Sequence, residues 1–144
     1  MIALISSVAV GIVSFAAINY AVVKAKTRNA RNKALSDVGK PLSEWLAVYN
    51  AENDHLKPVL ACALIGAACS LGVDEELFSI QEGYDFMEYA RKQDYVPQLR
   101  LMVELYEDYP IAGVTDQTPA HELVALAIAR FLNTARNVSH AQTQ

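Results

Sequence analysis

Hydrophobic positions along this chain occur in two ways, as unbroken apolar runs and as stripes that recur with helical period. The longest run, Ile2 to Val23, holds 22 residues and no Asp, Glu, Lys or Arg. A helix rising 1.5 Å per residue would extend it over about 33 Å, enough to cross a hydrocarbon core of about 30 Å. It is read as a transmembrane helix. Ser6, Ser7, Gly11, Ser14 and Asn19 within it are small or mildly polar, and lipid tolerates them when they bond the preceding turn or a neighbouring helix. The second run, Pro58 to Val73, has 16 residues between Lys57 and Asp74. At about 24 Å it is short for a span, and half of it is Ala, Gly, Ser or Cys. That composition suits a helix packed closely in a protein core. A second membrane crossing is the alternative.

The rest of the chain is periodic. Leu42, Trp45, Leu46 and Tyr49 stand at i, i+3, i+4 and i+7, the stripe of an amphipathic helix that should end near residues 53–55. Asp74 reads as an N-cap with Glu75 and Glu76 in the following first turn. Leu77, Ile80, Tyr84 and Met87 then form a stripe that Gly83 weakens in the middle. Asp94 and Pro97 mark the next start, with Leu99, Met102, Val103 and Tyr106 on the buried side until Pro110 stops the helix. Residues 111–117 form a linker. Thr118 and Pro119 open a last helix in the N-cap and N1 pattern, with Ala120, Leu123, Val124, Ala127, Ile128, Phe131, Ala135 and Val138 on one face. Leu126, Ala129 and Leu132 make its other face apolar too, so this helix is either central or an interface. No stretch alternates with period two for long enough to make a strand. The fold class expected is therefore all-α, with one N-terminal transmembrane helix followed by a small bundle of about five short helices.

Charge divides the chain into three segments. Residues 1–23 are the spanning helix. Residues 24–39 form a basic extension, because Lys24, Lys26, Arg28, Arg31 and Lys33 precede the first acid, Asp37. Residues 40–144 form an acidic helical domain. From residue 37 onward 16 acids face 7 bases, a net −9, against +5 for residues 1–36. Five cations on one flank should hold that flank on the cytoplasmic or matrix side, with the N-terminus outside. A secretory signal carries its cations before the apolar run, the reverse of this order. The same five residues are candidates for anionic lipid headgroups at about 1 kcal/mol each, although a pure topology signal explains them as well. A domain with so few cations argues against nucleic-acid binding.

Candidate chemistry is sparse. Cys62 and Cys69 lie seven apart, about 10.5 Å along a helix, too far for a disulfide within it, and their flanks offer no base to activate a thiol. Glu52 and His55 have one copy of the Glu-x-x-His spacing that di-iron bundles use twice. His121 and Glu122 begin a zinc-protease helix, but position 125 is Ala in place of the second imidazole. His140 stands in a polar tail. The acids from Asp74 to Glu88 lack the alternating oxygen ligands of a calcium loop. No catalytic, cofactor or metal site is expected.

Tyrosines beside acids, notably Tyr84, Tyr89 and Glu88, match the composition of protein interfaces, and with Leu126, Ala129 and Leu132 they are the candidate interface residues. The function expected is that of a non-catalytic single-pass membrane protein, a structural or assembly subunit of a larger membrane-associated complex, contacting other proteins and membrane lipid in an oligomer or hetero-complex. The alternative is a membrane-active effector of the lysis or pore-forming type, oligomerising through its apolar segments.

Overall fold

A computed structural model describes residues 27–142 of the chain, with side chains over residues 32–138. The apolar run Ile2–Val23 and the cations Lys24 and Lys26 lie outside the described residues, as do the side chains of Arg28 and Arg31. Within those bounds the protein is all-helical. Helix α1 spans Thr27–Asp37, α2 Leu42–Ala51, α3 Lys57–Asp74, α4 Ile80–Gln93, α5 Tyr95–Asp108 and α6 Ala120–Gln142. Among the described residues the only β pairing is an isolated antiparallel bridge between Pro41 and Pro119.

The second apolar run is the axis of the bundle. α3 packs against α1, α4, α5 and α6, and Ala61, Leu64, Ile65, Ala68 and Cys69 lose all contact with solvent. Its small residues explain the crowding, because helices approach closely where side chains are short. At Gly72 the Phe78 ring occupies the space of a side chain, so that a Cβ there would lie 2.1 Å from the ring. By length and composition α3 is apolar enough to cross a membrane, and two thirds of that stretch, 67%, is buried inside the fold. α1 packs on α3 and buries Ala34 and Asp37, so the end of the basic extension packs on the bundle.

The acids Asp74, Glu75 and Glu76 finish α3 and do not open the next helix. Leu77 N–H donates to the Gly72 carbonyl at 2.8 Å and Glu76 N–H to that of Val73 at 3.1 Å, the paired bonds of a Schellman cap. Glu76 takes the left-handed conformation this requires, with φ 57°. α4 begins instead at Ser79, whose hydroxyl accepts from Glu82 N–H at 3.1 Å while the Glu82 carboxylate accepts from Ser79 N–H at 2.9 Å. This capping box shifts the helical phase from the expected stripe. The buried positions are Gly83, Phe86, Met87 and Ala90, while Ile80 and Tyr84 are exposed. α4 continues through Gly83 without a break, since that glycine faces inward where no side chain is needed.

α2 and α5 follow their expected stripes, with Trp45 buried on the first and Leu99, Met102 and Val103 on the second. α6 does so only in its first half. Ala120, Leu123, Val124, Ala127 and Ile128 are buried, but residues 133–138 are all exposed, Ala135 and Val138 among them, contrary to the extended apolar face read from the sequence. The α6 N-terminus is capped from across the fold and not by Thr118, whose hydroxyl accepts from Thr115 N–H at 2.9 Å. Ala120 N–H donates to the Lys40 carbonyl at 2.7 Å and His121 N–H to the Val38 carbonyl at 3.1 Å, satisfying donors that a helix start leaves open. This clasp ties the end of α1 to the start of α6.

Candidate interaction surface

The polar residues singled out by spacing do not converge. α2 ends at Ala51, and Glu52 leaves it in extended conformation, so Glu52 and His55 do not share a helical turn and His55 is exposed. His121 is held by the clasp, its Nδ1 3.0 Å from the Val38 carbonyl oxygen. Among the described residues no group of three His, Cys, Asp or Glu side chains is placed to hold a metal ion. Cys62 and Cys69 are both buried thiols that form no disulfide. Burial pushes the Cys62 thiol up to about 12, only partly offset by a hydrogen bond with Tyr95, and raises Cys69 as well. Neither can form a thiolate nucleophile near neutral pH.

The candidate interface residues fall on two surfaces. Tyr84 and Tyr89 are exposed on α4 at 38% and 42%, and half-buried Glu88 pairs with Arg91, which holds its carboxyl below the usual range. Tyr89 also stacks on Phe131 of α6 at 6.4 Å between centroids, and Phe131 meets Phe86 edge-on at 5.9 Å. α6 thus contributes to the same aromatic patch. Leu132 and Ala129 are half-buried against the core. Leu126, one turn before Ala129 on the same helix, lines a hollow of about 350 Å³ with Leu71, Leu77 and His121. Lys33 is exposed on α1.

A larger feature escaped the sequence. Between α2 and α5 two hollows of about 490 Å³ and 440 Å³ share Leu46 and Glu107 and continue into one another as a groove. Leu46, Val96, Leu99 and Val103 give it apolar walls, and Glu104, Glu107 and Asp116 line it as well. At the other end Lys57 is bound to Asp54 at 3.1 Å and lies 5.8 Å from the centre of the Tyr49 ring, which itself stacks on Trp45 at 5.1 Å. Four carboxylates and two cations, Lys57 and Arg100, line the groove, a net −2. The individual stripes were visible in the sequence, but their juxtaposition depends on how α2 lies beside α5.

In comparisons with known proteins, no family model matches this chain, and no curated protein or solved structure does either. The functional argument therefore rests on the chain's own sequence and on the surfaces of the helical bundle.

Proposed function

We propose that this protein is a non-catalytic, single-pass membrane protein whose acidic helical domain serves as a structural or assembly subunit of a larger membrane-associated complex. The carrying observation is the polarity of the chain, an uncharged run of 22 residues, then a +5 flank, then a net −9 from residue 37 onward. In this reading Ile2–Val23 crosses the membrane. Lys24, Lys26, Arg28, Arg31 and Lys33 sit at the cytoplasmic or matrix headgroups, and the acidic domain, repelled by the same lipids, faces other proteins. The groove between α2 and α5 and the patch around Tyr84 and Tyr89 supply surface for those contacts. Enclosure of α3 by four helices favours this over the membrane-active alternative, because releasing α3 into lipid would dismantle the bundle core.

Reporter fusions at the two ends test the topology. A C-terminal reporter is expected to remain on the cytoplasmic side, and one placed before Met1 to be translocated. The opposite result at both ends would refute the orientation, and translocation of the C-terminal reporter with retention of a loop at Lys33 would mean that α3 spans. Purification in mild detergent should then bring other membrane-complex proteins with the full chain.

A further inference from the structure

The groove between α2 and α5 needs an occupant with an apolar side and positive charge, and the chain itself displays one. No acid follows Glu122, so the last 22 residues carry Arg130 and Arg136 against no carboxylate. From Asn133 to Val138 the α6 side chains are exposed, Val138 at 53%. This end of α6 is therefore a cationic helix with an unburied aliphatic side chain. Among the described residues none beyond Leu123 lines the groove of its own chain. Arg136 instead reaches Glu82 on α4 at 3.5 Å, with its own side chain 55% exposed. Such exposed ion pairs contribute little to stability and are readily given up for a better-shielded partner.

We infer that the exposed end of α6, centred on Arg136 and Val138, docks in the α2/α5 groove of a second copy of the same chain. Val138 would meet the apolar wall of Leu46 and Val103, and Arg136 the carboxylates of Glu104 and Glu107. Lys57 and Arg100 lie at one end of the groove, Lys57 already paired with Asp54, and the groove keeps a net −2, with Glu104, Glu107 and Asp116 among its lining; this excess favours a cationic protein segment over a phosphate-bearing ligand. The donor and acceptor surfaces differ, so the contact is heterologous, and each copy offers both halves. Self-assembly of this kind deepens the proposed role as an assembly subunit and rests on it.

The test is sedimentation of the full chain in mild detergent over a range of concentrations. Reversible self-association is expected, weakened about tenfold or more by either Arg136→Glu or Glu107→Lys, since losing and reversing a desolvated charge contact exceeds about 1.4 kcal/mol. Combining both changes in one chain should restore association, as should mixing the two single variants. Circular dichroism of each variant, expected to match the parent, separates lost docking from lost fold. A chain that stays monomeric throughout overturns the inference, and so does association indifferent to both changes or unrestored by their combination. If other complex proteins still co-purify with a monomeric chain, the assembly reading survives without self-docking; if none do, both fail.

Discussion

α3 and α6 are the two longest helices described, each with a long apolar stretch, and the fold treats them differently. α3 is apolar on every side and is buried over two thirds of its length, with small residues letting four neighbours close around it. α6 is buried only through its first half, where Ala120, Leu123, Val124, Ala125, Ala127 and Ile128 enter the core, and from Asn133 to Val138 its side chains are exposed. Hydrophobic content alone therefore does not determine burial in this molecule. What decides is whether neighbouring helices extend far enough to cover the apolar positions. A helix of 23 residues is about 34 Å long, longer than any other helix among the described residues, and its side chains from Asn133 to Val138 are exposed.

Truncation should expose that difference most strongly. Leu64, fully buried on α3, is expected to cost about 2–5 kcal/mol when changed to Ala, because the surrounding helices cannot collapse into the cavity. That is a large fraction of the 5–15 kcal/mol typical of a domain. Urea unfolding of the full chain in mild detergent measures it directly, with the fluorescence of Trp45, the single and fully buried tryptophan, as the probe. A cost below about 1 kcal/mol would mean that α3 is not the axis of the fold.

The contrast between the helices was partly legible in the residues. The run from Pro58 to Val73 read as a buried helix, and the stripes of Trp45 and of Leu99, Met102 and Val103 fell where the bundle needs them. The start of α4 was misread because three consecutive acids resemble a first turn, whereas the chain uses them to end α3, with Glu76 in a left-handed conformation that Gly or Asn more often supplies. The true signal, Ser79 followed three residues later by Glu82, was present. The groove had no local signature. Its lining comes from α2 and α5, nearly 50 residues apart from Tyr49 to Val96, and the clasp at α6 uses backbone carbonyls, which no side chain announces. Ala135 and Val138 continue the α6 period correctly, but nothing in that period reveals where the covering helices stop.

Alkaline pH gives a second, smaller test of enclosure. The Cys62 and Cys69 thiols are both raised by burial, Cys62 to about 12 from an ordinary value of 9.0. Between these values the unfolded chain releases thiol protons that the folded chain keeps, so the unfolded state binds fewer protons and stability falls as pH rises. Two such groups should together cost about 3 kcal/mol by pH 10, with little effect below pH 8. Unfolding of the parent and of the Cys62→Ala/Cys69→Ala variant across pH 7 to 10 isolates the contribution, since the tyrosines and lysines titrate alike in both. A difference between the two chains that does not change with pH would mean that water reaches the thiols.

The smallest expected effect lies at the exposed end of α6, and its smallness carries the comparison. Val138 is 53% exposed, and Val and Ser have similar helix propensities. Val138→Ser therefore removes little packing, and surface changes of this kind usually remain within about 0.5 kcal/mol. The same Trp45-monitored unfolding, run at low protein concentration, should give nearly superimposable curves for the parent and the variant. Raising the concentration separates the two ways this can fail. A cost above about 1 kcal/mol that is independent of concentration would place Val138 in contact with its own bundle, and α6 would then resemble α3 along its whole length. A cost that appears only as concentration rises would instead come from lost association, because a second copy that binds only the folded state stabilises it by mass action.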